Sequence, residues 1–366
     1  MHVLLFLVFV AVSGNSLLLR MSGARGKALV LDRSVASLRR YNVGLDIAKS
    51  LAANNPDLEI TVLRDTCCNP PKNPESLPDS VKVLSSQICL ADGGLKQHAG
   101  DANFIVDNWS SSSEDVEKVL EIGRSCRVEQ VVYLSSALNL YKQTDKSPIR
   151  EEEDVDEESH FRKMELTYAS ADLLFTVIRS QYVYGGEQSP TLEYIVNRLV
   201  RGMHVPLPLH GDQLLSLTHV SDLGTLISAT LGKSAAMKQT FNCGGQSFIT
   251  YKGLCDKVQR VISSNEEGHA NEPKYMYFEP KLFDVETGGD PYPLGRTSCI
   301  LSSKKAEETL GWTPNFENDK DFEKHLSALI GQRETAHDPD FKHFMHDLEI
   351  IASKDVDFTF NYDFIK

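Results

Sequence analysis

The loop DRSVASLRRYNVG, residues 32–44, lies between a short apolar run and a helical pattern. A dinucleotide bound there would need glycines, because the backbone must approach the pyrophosphate and present helix N-terminal amides to it. The loop holds one glycine, Gly44, and bulky Arg39, Arg40 and Tyr41 stand in the approach. This composition opposes NAD(P) and predicts no bound cofactor. Arg33, Arg39 and Arg40 offer charge to a phosphate instead, or are solvated loop side chains. Arg179, Arg198 and Arg201 form a second basic group, in which Arg198 and Arg201 are spaced to share a helix face.

Other reactive residue types give weaker patterns. Tyr277 and Lys281 have Tyr-x-x-x-Lys spacing but are separated by Pro280, and Tyr362 and Lys366 end the chain. His343 and His346 form HxxH near Asp340 and Asp347, a pattern commoner on a polar helix face than at a metal. The seven cysteines include adjacent Cys67 and Cys68 but no CxxC pair, so neither a disulfide framework nor a metal site is expected.

The elements that must carry these residues alternate. KALVLD (27–32), EITVLRD (59–65), VKVLSS (81–86), ANFIVDNW (102–109), EQVVYLSSA (129–137) and LLFTVIRSQYVYG (173–185) read as buried strands. NVGLDIAKSLAANN (42–55) and SEDVEKVLEIGRSC (113–126) read as helices, the second capped by Ser113. TLEYIVNRLVRG (191–202) is amphipathic, and a helix near 251–262 is expected to be capped by Thr250. Asp222 in HVSDLGTLI is expected to cap another. This order predicts an α/β fold: a Rossmann-like, doubly wound parallel sheet over 27–185 and a smaller, interleaved α/β subdomain over 186–330, with a tail at 331–366.

The chain has 366 residues and a formal charge of −13, which excludes nucleic-acid binding by bulk charge and leaves only local patches. Seven of the eight residues 151–158 are acidic and read as a solvated loop. Residues 3–12, VLLFLVFVAV, suit the apolar core of a signal peptide but are too short to span a bilayer. Residues 17–27 are basic and free of acids. Residues 1–16 thus read as a signal peptide and 17–26 as a transit-like segment, an address for a plastid. Plain secretion is the alternative.

The strand VVYLSSA (131–137), HVSDLGTLI (219–227) and LGWTP (310–314) resemble the landmarks of the extended short-chain dehydrogenase/reductase superfamily. IRSQYVYG (178–185), FNCGGQSFITYKGL (241–254), the stretch from Ser135 to Glu153, and above all YFEPKLFDVETGGDPYPLG (277–295) resemble its chloroplast stem-loop-binding members. The superfamily resemblance places Ser135 and Ser136 at the substrate serine and Lys163 where the lysine would fall, but Ser159 stands where the tyrosine should be. Without the phenol, the serines are expected to be structural hydrogen-bonders. Gly44 is the remnant of a cofactor turn.

This resemblance implies a plastid protein that binds structured RNA or a ribonucleoprotein and acts in transcript stability or ribosomal RNA processing. If it cleaves RNA, a divalent ion such as Mg2+ is implied, though no metal-ligand set is evident. It implies a homo- or hetero-oligomer, and no membrane for the mature form. The alternatives are an NAD(P)-dependent sugar-nucleotide epimerase or reductase, and a non-catalytic scaffold of a plastid assembly.

Overall fold

The computed structural model describes residues 24–33, 43–65, 77–86, 94–138, 140–142, 146–186, 189–265, 272–278, 294, 297–315 and 319–334. Residues 1–23 of the N-terminal address, Arg39 and Arg40, the Cys67-Cys68 pair and the HxxH lie outside them, while Gly26, the last residue of that segment, already opens the first strand.

The elements alternate as the apolar runs predict. They begin with β1 (Gly26–Arg33), α1 (Gly44–Asn54), β2 (Leu58–Asp65), β3 (Val81–Ser86), α2 (Gly94–Ala99) and β4 (Phe104–Asn108). Next come α3 (Ser113–Cys126), β5 (Gln130–Ser136), α4 (His160–Ala169), β6 (Phe175–Ser180), β7 (Val183–Tyr184) and α5 (Pro190–Val200). Then follow β8 (Val205–Pro208), β9 (Leu214–Ser216), β10 (Thr218–His219), α6 (Val220–Thr230) and β11 (Gln239–Cys243). The last are β12 (Phe248–Thr250), α7 (Tyr251–Asn265), β13 (Tyr275–Phe278), α8 (Lys304–Leu310) and α9 (Asp319–Glu334).

Seven parallel strands form the central sheet in the order β11-β6-β5-β4-β1-β2-β3, the expected doubly wound arrangement. Its faces follow the two-residue period of a strand. Ala28 and Val30 of β1 pack with α1 and α6, while Leu29 and Leu31 pack with residues of α3 and α4. A parallel sheet buried on both faces needs near-continuous apolar strands, which is why these runs were legible. A separate core joins α5, α7 and α9 with β8 and β9.

Three local details differ from the sequence reading. The single run 173–185 is split into β6 and β7. Helix α3 is capped by Ser112, whose Oγ accepts the Asp115 amide at 3.1 Å, one residue earlier than expected. Asp222 is not the cap of α6. His219 takes that place, its Nδ1 accepting the Ser221 amide at 3.1 Å, and Asp222 Oδ1 accepts the Asn315 amide at 2.9 Å. Thr250 does cap α7, accepting the Gly253 amide at 2.9 Å.

Candidate functional site

Ligands of a doubly wound sheet sit outside the carboxyl ends of its strands, where the strand order reverses. Here that point lies between β1 and β4. The apolar strands end there in charges. Asp32, fully buried at the end of β1, accepts the Gly44 amide at 3.1 Å and Asn108 Nδ2 at 3.0 Å. Its other oxygen lies 3.4 Å from Nε of Arg64, also buried. Asp107 accepts the amides of Trp109 and Ser110, both at 2.9 Å, and the Tyr168 hydroxyl at 2.7 Å. Trp109 Nε1 donates to Asp65, at the end of β2, at 2.7 Å.

Two features of this crevice suit a dinucleotide. A Cβ on Gly44 would lie 2.4 Å from Cγ of Asp32, so only glycine lets α1 approach β1 this closely. That is the helix-packing role of the last glycine in a dinucleotide fingerprint. Asp65 ends β2, where an acidic side chain takes a ribose hydroxyl in this fold.

On the other side of the switch point, buried side chains of β5, β6 and α4 bond to one another. Glu165 of α4 accepts the Ser135 hydroxyl at 2.7 Å and both Nε and Nη2 of Arg179, at 2.9 and 2.6 Å. Arg179 Nη1 donates to the Tyr141 hydroxyl at 2.8 Å, which donates to Asn242 Oδ1 at 2.7 Å. Asn242 in turn donates its side-chain amide to the Ile149 carbonyl and its backbone amide to Glu151. Burial pushes the Tyr141 phenol up to about 12, so it is a neutral hydrogen-bonding group near pH 7. The second serine, Ser136, accepts the Leu138 amide at 3.1 Å.

These positions correct several expectations. Arg179 is 3% exposed and forked onto Glu165, so it presents no charge to an external phosphate. Arg198 is buried, donating to the His204 carbonyl at 3.0 Å with its guanidinium over the Tyr194 ring. Arg201, at the C-cap of α5, donates to the Asn197 carbonyl at 3.0 Å, so these arginines do not form a shared outward face. Lys163 lies on the protein surface, 2.9 Å from Glu158. The side chain facing the strand-end serine from α4 is instead Glu165. Arg33 closes β1, and its side chain, with those of Arg39 and Arg40, lies outside the described residues.

The acidic run is solvated as expected over Glu152, Asp154 and Asp156 to Glu158, while Glu151 and Glu153 are half-buried. Glu151 is turned inward to the Asn242 amide, and burial raises its pKa against the lowering effect of that bond. Glu153 pairs with Lys146, and Glu157 with Arg162. Among the described residues, no cluster of three potential ligands could hold a metal ion. No helix among them is long and apolar enough to cross a membrane.

Beside the crevice, Tyr184, His219, His325 and Phe322 form a ring cluster. Gly185 packs on His219 at φ +88°, and a Cβ there would lie 2.4 Å from Nε2. Burial lowers the His219 pKa to about 4, assisted by His325 and opposed by Asp321. His325 is lowered by burial too. Each imidazole is neutral in the folded protein at a pH where it would charge in the unfolded chain. The His219 contribution to stability is present above about pH 6.5 and is lost as pH falls towards 4, and that of His325 is lost in the same direction. Discounted for partial exposure, the His219 share is about 1–2 kcal/mol. His219→Asn keeps a capping acceptor and removes the titration. Its urea midpoint is expected to change less between pH 7 and pH 4.5 than that of the parent.

No family model matches the chain. The fold is that of the NAD-dependent epimerases and dehydratases of the short-chain dehydrogenase/reductase type. An epimerase of Methanothermobacter thermautotrophicus is 16% identical with a TM-score of 0.65, over 86% of this chain and 94% of that one. The dTDP-glucose 4,6-dehydratase of Streptomyces venezuelae, solved with NAD, has a TM-score of 0.66 at 16% identity, over 85% and 99%. The UDP-glucose 4-epimerase of Thermus thermophilus, in complex with NAD, has a TM-score of 0.62 at 17% identity, over 85% and 99%.

In sequence, the chain is similar to the chloroplast stem-loop binding protein of 41 kDa b of Arabidopsis thaliana. The two are 32% identical over 246 residues, 64% of this chain. The match spans 62% of that protein's length. The expectation that the crevice excludes NAD(P) is corrected by the solved structures. NAD occupies this fold in two of them.

Proposed function

We propose that the protein binds structured RNA in the plastid, on an epimerase-type scaffold whose strand-end serine is engaged by its own Glu165. The observation that carries this reading is the 32% identity to a chloroplast stem-loop binding protein. It is supported by the Glu165–Arg179 pair, whose carboxylate already engages the Ser135 hydroxyl at the strand end. Transcript stability and ribosomal RNA processing are the processes in which such a protein would act. Residues 1–16 and 17–26 would direct it to the organelle. It would work as an oligomer or within a ribonucleoprotein. Endonuclease activity would require a divalent ion carried in with the RNA.

A nucleotide in the same protein has its own support. Gly44 and Asp65 suit NAD in the β1–β4 half of the crevice, independently of the Glu165–Arg179 pair. Hydride chemistry is a weaker reading, because Lys163 is at the surface and Ser159 replaces the expected phenol.

The RNA reading is tested by hairpin binding at stepped salt. With Arg179 and Arg198 buried, Arg33, Arg39 and Arg40 are the remaining crevice candidates. Arg39→Ala with Arg40→Ala is expected to weaken binding evenly across sequences. Two lost phosphate contacts would flatten the slope of log K against log salt by roughly 1.4–1.8. An unchanged slope would remove these arginines from the interface. No binding by the parent protein would remove the RNA reading itself.

A further inference from the structure

Strand β13 alternates half-buried Tyr275, buried Met276, exposed Tyr277 and buried Phe278, so its two tyrosines share the outer face. It lies parallel to β8, and the chain leaving β8 returns over its end, with the Leu209 amide donating to the Phe278 carbonyl at 2.8 Å. That turn places exposed His210 beside Tyr277. The Tyr275 and Tyr277 centroids are 6.1 Å apart, and those of Tyr277 and His210 are 6.3 Å apart. Three rings thus form one row, with Leu209 and Tyr277 41% and 39% exposed.

The row is held rather than loose. The Tyr275 hydroxyl donates to Asp256 of α7, and the Lys252 amide of α7 donates to the Gly211 carbonyl at 3.0 Å. Cations flank it. The Lys252 ammonium is 5.9 Å from the Tyr275 centroid, and exposed Lys274 immediately precedes the strand. Asp212 and Glu272 are exposed nearby in the chain.

Unpaired bases stack on aromatic faces, and ammonium groups meet the phosphates between them, whereas a duplex hides its base faces. We propose that Tyr277, His210 and Tyr275, with Lys252 and Lys274, form a platform for the unpaired loop nucleotides of an RNA hairpin. This rests on the RNA reading and deepens it. It places loop recognition on the β8–β13 pair rather than at the crevice. A row of rings with two lysines at its Tyr275 end fits an extended polyanion with exposed bases on an otherwise acidic protein.

The full chain is tested with three probes: a hairpin carrying 4-thiouridine in its loop, a blunt duplex of the same stem, and the loop sequence as a single strand. Tyr277→Ala with His210→Ala is expected to weaken hairpin and single-strand binding roughly five- to a hundredfold and leave duplex binding unchanged. Tyr277→Phe, which keeps the stacking face, is expected to bind like the parent. In the parent protein, thiouridine is expected to crosslink to the β13 peptide, a readout independent of any variant's folding. If the parent binds the hairpin but the double variant binds equally well and the crosslink maps elsewhere, the platform is overturned and the RNA reading stands. If the parent binds none of the three, both fall. Concentration-dependent self-association that the double variant abolishes would assign the face to a second copy instead.

Discussion

Glu165→Ala is expected to lower the free energy of unfolding by about 3–5 kcal/mol, read as a shift of the urea midpoint. The carboxylate is 3% exposed and holds the Arg179 guanidinium by two hydrogen bonds. Its removal leaves a buried cation bonded to the neutral Tyr141 hydroxyl in place of a counterion, and leaves Ser135 without its acceptor. A buried charge without its counterion costs far more than the intact pair contributes, because the pair's attraction largely offsets its own desolvation. Glu165→Leu with Arg179→Met should therefore be less destabilised than Glu165→Ala alone. The remaining loss, about 1–3 kcal/mol, would come from the orphaned Ser135 hydroxyl and from the donor that the Tyr141 hydroxyl loses. A cost below about 1 kcal/mol for Glu165→Ala would mean that water already reaches the pair. The strand-end serine would then be open to solvent, and the epimerase reading would regain ground.

Why the strands were legible and the site was not follows from this same pair. The strands announce themselves because a parallel sheet covered on both faces admits few polar residues. Within such runs, Arg64 and Arg179 are themselves the signal, each lying one residue before the end of its strand. A cation in a strand buried on both faces must be paired inside the protein, and this argues against counting Arg179 among external phosphate contacts. The partner is harder to find. Phe161, Met164, Glu165 and Tyr168 are the buried residues of α4, so the 3.6-residue period puts Glu165 inward and Lys163 outward. The Tyr-x-x-x-Lys pattern instead directs attention to Lys163, whose helical phase is wrong for the crevice. Tyr141 and Asn242 come from distant loop and strand positions that no local pattern links. The glycine count in 32–44 misleads for another reason. Gly44 acts through helix packing against Asp32, a tertiary contact that motif spacing alone does not reveal.

Arg64→Met should be nearly as costly as Glu165→Ala, about 3 kcal/mol, and should act on the nucleotide half of the crevice. Asp32 has no exposed surface, and Arg64 is the cation beside it. The methionine fills most of the arginine's volume, so the loss reports charge rather than a cavity. Hydrogen bonds from the Gly44 amide and Asn108 remain and keep the cost at the lower end. The carboxylate also fixes the first turn of α1, so the variant should exchange the Gly44 amide hydrogen faster than the parent does. Asp32→Asn with Arg64→Met removes both charges while keeping an acceptor for that amide. It should recover much of the stability and restore slow exchange at Gly44. Stability regained without slow exchange would mean that the pair neutralises charge but does not position α1. Equal loss in the single and double variants would mean that Arg64 contributes packing alone, and that charge balance at the end of β1 does not shape the crevice.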